Sequence, residues 1–129
     1  MCIRDSDYLH DEMALAMAAA DLAVCRAGAS VLGELPYLGL PAILVPYPHA
    51  WRYQHVNADY LARRGAAVVL RDDQLLDERA GLRRCVNDLL NHPARLEAMR
   101  RASQRLGHRD GAARIAALLL EVSRGHDQR

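Results

Sequence analysis

With 129 residues, 51% of them hydrophobic and 26% charged, the chain has the make-up of one packed domain and not of a disordered tail. Its 17 basic residues are all arginines and meet 16 acidic ones for a net charge of +1, so no basic field recruits nucleic acid or anionic lipid by charge alone. The longest apolar stretches, residues 13–20 and 115–120, fall well short of the roughly 20 residues that a membrane-spanning helix needs.

Residues 1–7 fit neither helix nor strand periodicity and read as irregular, either a foreign start or a frayed terminus, and they hold no apolar core of a secretory signal. Residues 9–20 are rich in Ala and Met and predict a helix, with Asp11 and Glu12 where the positive end of the helix dipole favours carboxylates. Residues 22–25, Leu-Ala-Val-Cys, form a short apolar run between turn formers and predict a strand buried on both faces. Gly28 interrupts the run, and a helix over 29–38 follows, stopped by Gly39 and Pro41. The pattern repeats with a buried strand at 42–45, a helix over 51–64 ended by Gly65, and a third buried strand at 66–70. Strands and helices alternating through such short connections predict parallel βαβ units with right-handed crossovers. Residues 73–90, 93–106 and 110–122 then carry helical spacing, with Pro93 suited to a first helical position. The fold class is α/β: a partial Rossmann-like parallel sheet of about three strands followed by C-terminal helices. Three strands are few for a free-standing sheet of this kind, so the chain reads as half of a larger nucleotide-binding domain. Cys2, Cys25 and Cys85 are too scattered for a zinc site or a disulfide framework, which favours a reducing cytoplasm, and no spacing points to a metal or cofactor.

Chemistry concentrates where strands give way to helices, because ligands of open α/β sheets bind beyond the carboxyl ends of the strands. In Arg26-Ala27-Gly28-Ala29-Ser30-Val31, a strand feeds a small-residue turn and a helix start. The free N–H groups of Ala29, Ser30 and Val31 would suit an anion, and Gly28 would let a phosphate approach the backbone. Neither a G-x-G-x-x-G nor a Walker pattern is present, so dinucleotide and P-loop readings lose support. Glu34 could accept both hydroxyls of a ribose while a diphosphate sits at the helix start, although on spacing alone a solvated carboxylate is the commoner role. Arg26 could contact phosphate or pair with Glu34, against the commoner role of a surface charge. After the second strand, Gln54 offers a donor and an acceptor to sugar hydroxyls, with Asn57 three residues on. Tyr47, Trp51 and Tyr53 could wall the cleft, yet aromatics at such spacing are more often core. His49 and His55 lack a nucleophile or carboxylate at a motif spacing and read as structural.

These residues together resemble a known family. The runs 20–30 and 39–49, with Glu34, Gln54, Asn57-Ala58 and Gly65-Ala66-Ala67, resemble the C-terminal domain of the bacterial peptidoglycan N-acetylglucosaminyltransferases of glycosyltransferase family 28, over residue 8 to the end. The resemblance implies half of a two-domain GT-B enzyme that moves GlcNAc from UDP-GlcNAc to undecaprenyl-diphosphate-linked muramoyl pentapeptide. It implies a UDP-GlcNAc site in which Ala29 and Ser30 hold the diphosphate, Glu34 the ribose, Gln54 the sugar and Leu9 the uracil through its backbone, with Arg26, Gly28 and Asn57 counted among the UDP-GlcNAc-binding residues. It implies no catalytic residue here, since the base lies in an N-terminal acceptor domain, and no metal or cofactor. It further implies a cytoplasmic enzyme, peripheral at the inner face of the membrane, whose acceptor reaches it through that other domain. Trp51-Arg52-Tyr53 stands where the family commonly has an acidic pair, and the Gly-Gly-Ser loop that opens the family's domain has no counterpart. Two other readings compete: a related UDP-sugar transferase with a lipid or natural-product acceptor, and a flavodoxin-like module without enzymatic function. The latter would want an acidic phosphoacceptor at a strand end, where Cys25, Pro46 and Leu70 stand instead.

Overall fold

The computed structural model describes residues 5–49 and 52–126. Three strands, β1 (Ala23–Cys25), β2 (Ala42–Leu44) and β3 (Ala67–Val69), alternate with helices α1 (Met13–Ala19), α2 (Val31–Leu38) and α3 (Tyr53–Arg63). Helices α4 (Leu82–Asn91), α5 (Pro93–Leu106) and α6 (Gly111–His126) complete the chain. The sheet is parallel with the order β1-β2-β3, so all three strands end at one edge. This is the expected α/β class with the expected strand number.

The two faces of the sheet follow from the strand period of two. Ala42, Leu44 and Ala67 look toward a core shared with Leu35, Leu61 and Ala102 of α2, α3 and α5, with Ala23, Cys25 and Val69 packed on it. Ile43 looks the other way, toward Leu89 and Met99 of α4 and α5, joined by Leu22 and Val68. The central strand is closed on both sides, Ile43 and Leu44 being wholly buried. The strand at 22–25 is a correction. Among the described residues it pairs with β2 alone, Val24 stays 45% exposed, and its flanking residues are only half-buried, because an edge strand has little to cover its outer row.

Glycine and proline place the helix ends. Gly39 caps α2 in the left-handed region at φ 67°, where a Cβ would stand 2.4 Å from the Gln104 side chain, and Pro93 opens α5. Ser103, 1% exposed, anchors α5 to α2 by donating to the carbonyls of Leu35 and Leu40 at 3.3 and 3.4 Å. The continuous helix expected over residues 73–90 is broken, leaving a 3-10 turn (Asp72–Gln74) and α4 from Leu82. Asp77 Oδ1 accepts the N–H groups of Arg79 and Ala80 at 2.7 and 2.8 Å, a local turn that competes with helix. Gly81 then passes so close to the Asp77 carbonyl that a Cβ would lie 2.3 Å from it. The first helix also starts later than residue 9, with Glu12 as its N-cap.

Candidate functional site

The carboxyl edge of the sheet gathers the segments that carry the candidate residues. At the exit of β1, Arg26 to Ser30 turn the chain into α2, and Ser30 caps the helix through backbone geometry, its hydroxyl making no capping hydrogen bond. The Ser30 carbonyl accepts the N–H groups of Gly33 and Glu34 at 3.0 and 2.9 Å. Among the described residues no hydrogen bond is donated by the N–H groups of Ala29, Ser30 or Val31, so the start of α2 presents unpaired donors with the positive end of its dipole. Ala29 and Ser30 are exposed, and a Cβ built on Gly28 would meet nothing within 4 Å, which leaves the approach to this turn open.

Glu34 falls in the first turn of α2. It shares a cavity of about 690 Å³ between α1 and α2 with Ser30 and Gly33. Met13, Met17, Tyr37 and Leu38 give that cavity apolar walls, and His10, Asp11 and His108 give it polar ones. The Glu34 carboxylate is felt at the end of β1. Burial, and secondarily the charge of Glu34, push the Cys25 thiol above its ordinary pKa of 9.0. Leu9 lies in the adjoining hollow, with Ser6, Glu12 and Leu15, while its neighbour His10 reaches the Glu34 cavity.

Gln54 and Asn57 hold the loops rather than line that cavity. Gln54 Oε1 accepts the N–H of Tyr47 at 2.8 Å, which folds the β2 exit loop onto α3 and leaves the amide nitrogen unengaged among the described residues. Asn57 Nδ2 donates to the Ala27 carbonyl at 3.0 Å and so ties α3 to the β1–α2 turn. Arg26 does not pair with Glu34. It pairs with Asp72 beyond β3, donates to the Val45 carbonyl at 3.3 Å, and lies 5.3 Å from the centre of the Tyr47 ring. Tyr47 in the β2 exit loop and Tyr53 at the start of α3 are exposed, 45% and 74%, and not core. Trp51 lies outside the described residues. His49 and His55 are also exposed, His49 edge-on to Tyr47 with centroids 5.5 Å apart.

Three residues escaped the sequence reading. Tyr37 sits three positions after Glu34, a spacing that puts both on one helix face and could have flagged it. His108 joins the cavity from the turn between α5 and α6, and Asp72 meets Arg26 from 46 positions away; neither has a local signal.

The comparisons with known proteins agree with one another. The family model described as the glycosyltransferase family 28 C-terminal domain matches residues 5–115. The UDP-N-acetylglucosamine–N-acetylmuramyl-(pentapeptide) pyrophosphoryl-undecaprenol N-acetylglucosamine transferase of Roseiflexus sp. strain RS-1 is 50% identical over 109 residues, which cover 83% of this chain and 24% of that protein. The protein of the same name from Mycobacterium tuberculosis H37Rv is 45% identical over 115 residues, covering 89% of this chain and 28% of its own length. The crystal structure of Acinetobacter baumannii MurG superposes with a TM-score of 0.71 at 26% identity, over 88% of this chain and 33% of that one. The chain therefore spans about a quarter of the length of the curated relatives it matches.

Proposed function

The chain belongs to the glycosyltransferase family 28 C-terminal domain family, and from that membership and the geometry at the carboxyl edge we propose that it is the donor-binding part of a UDP-GlcNAc-dependent transferase. One observation carries the reading: at the start of α2 the amides of Ala29, Ser30 and Val31, unpaired among the described residues, lie within five residues of the Glu34 carboxylate, and Ser30 and Glu34 share one cavity. A diphosphate at the helix start would receive N–H groups that need no rearrangement, with the Ser30 hydroxyl as a further donor and the Arg26 cation nearby. The ribose would then fall within reach of Glu34, whose ionised oxygens accept from both hydroxyls. The Met13 and Met17 walls suit the flat, apolar faces of a nucleobase, with the backbone near Leu9 and His10 at its edge. Beyond the phosphates, the amide nitrogen of Gln54, unengaged among the described residues, would donate to a sugar hydroxyl, and Asn57 holds the turn on which the phosphates would rest.

In this reading the reaction moves GlcNAc to undecaprenyl-diphosphate-linked muramoyl pentapeptide, the activity named for the Roseiflexus and Mycobacterium relatives. In the same reading residues 8–129 belong to the donor part of the C-terminal domain. The acceptor and the base that deprotonates its hydroxyl belong to a further domain, so the chain alone transfers no sugar. The whole enzyme would work in the cytoplasm at the inner membrane face. Among the described residues no helix is long and apolar enough to cross a membrane. Calorimetry on the full-length protein carrying these residues tests the reading. UDP and UDP-GlcNAc should bind well ahead of ADP and GDP, and equal binding of all four would overturn it.

A further inference from the structure

One guanidinium joins the exits of all three strands. Arg26 directly follows β1, donates to the carbonyl of Val45 just past β2, faces the Tyr47 ring in the same loop, and pairs with Asp72 at the start of the turn after β3. The two side chains are 47% and 33% exposed, a setting in which an ion pair adds little to folding stability. Its consequence is orientation. Unpaired, the long arginine side chain would sweep a wide arc; held by Asp72, its charge stays beside Val45 and Tyr47, at the foot of the turn that presents Ala29 and Ser30.

We infer that Asp72 is a positioning residue of the anion site, which anchors the Arg26 guanidinium across the three strand exits and so fixes both the cation and the β2 exit loop beside the α2 N-terminus. The inference rests on the donor-binding reading above. Asp72 itself touches no ligand in this scheme. It acts through Arg26, and the β2 loop that Arg26 braces is the one whose Tyr47 N–H is taken by Gln54. The phosphate-bearing part of the donor depends on the anchor, and the nucleoside part does not, because Glu34 and the methionine walls of the cavity are contributed by α1 and α2.

The test compares UDP with uridine by calorimetry in the full-length protein, at low and moderate salt. Asp72→Asn should weaken UDP about three- to tenfold, with a loss that shrinks as salt rises, and leave uridine within about twofold. In an Arg26→Ala background the same substitution should cost nothing further, and Asp72→Glu should recover part of the loss. Equal losses for UDP and uridine would make Asp72 merely structural, and tighter UDP binding by Asp72→Asn would make it a competitor that draws Arg26 away from phosphate; either overturns the inference. If wild type binds neither ligand, the donor-binding reading fails by itself. The anchor is then judged by hydrogen exchange at the Tyr47 amide, which should speed up in Asp72→Asn, or in Asp72→Glu and Arg26→Lys if that variant does not fold. Unchanged exchange would overturn it.

Discussion

Asn57 on α3 gives its side-chain N–H to the carbonyl of Ala27, 30 positions earlier, at 3.0 Å, and thereby fastens the helix after β2 to the turn after β1. Ala27 is wholly buried in the folded chain, so its carbonyl relies on that donor.

Asn57→Ala should therefore destabilise the fold by about 1–3 kcal/mol, the cost of an unsatisfied buried acceptor. Chemical denaturation should show it as a lower midpoint with an unchanged slope, since the surface exposed on unfolding is nearly the same. UDP affinity should fall as well, because the turn that offers Ala29 and Ser30 loses its brace.

Glu34 is the residue on which the nucleotide reading depends most. Two charge-assisted bonds to the ribose hydroxyls, each worth about 1.5–3 kcal/mol, mean that Glu34→Ala should weaken UDP on the order of a hundredfold to ten-thousandfold. Wild type should prefer UDP to 2′,3′-dideoxy-UDP in calorimetry, and the variant should lose that preference while keeping its circular dichroism spectrum. A variant that binds both nucleotides as wild type does would leave Glu34 a solvated helix carboxylate.

Cys25 reports on Glu34 from the other side. Burial first, and the Glu34 charge second, raise its thiol above 9.0, so Cys25 in the folded chain, followed by mass spectrometry of its own peptide, should alkylate slowly with iodoacetamide at neutral pH, with an inflection above that value. Glu34→Gln should bring the inflection down and speed the reaction. Because the folded state holds this proton more tightly than the unfolded one, the group's contribution to stability is complete below pH 9.0 and is lost as pH climbs through the raised value.

Asp77 behaves oppositely. Hydrogen bonds from the N–H groups of Ala80 and Arg79 hold its carboxyl below 3.8, so its contribution is present above that pH and is lost as pH falls through the lowered value. Asp77→Ala should remove this acid-range effect and speed amide exchange at Arg79 and Ala80, measurable by nuclear magnetic resonance; unchanged exchange would show that the turn forms without its carboxylate.

The succession of strands and helices was legible because its signals are local. The apolar run at 42–45 is buried in full at β2, Gly39 reaches its left-handed cap, and Pro93 takes the first position of α5, each set by its own side chain or lack of one. Parallel pairing brings strand exits to one edge, so the turn at Gly28, Ala29 and Ser30, and the loop before Gln54 and Asn57, could be assigned to one neighbourhood from spacing alone. Partnership could not. Whether Arg26 turns to Glu34, eight residues away, or to Asp72, 46 away, depends on β3 lying next to β2 and on the turn that follows it, and no periodicity encodes that distance. The exposure of Val24 was hidden for the same reason, since an edge strand and a central one share a composition and differ only in their neighbours. Residues 75–81 look helical by pattern, and the backbone bonds that Asp77 makes there, with the close passage of Gly81, decided against it. Sequence fixes what each segment favours alone; the tertiary structure chose which side chains meet, because those contacts form only once the chain has closed its long loops.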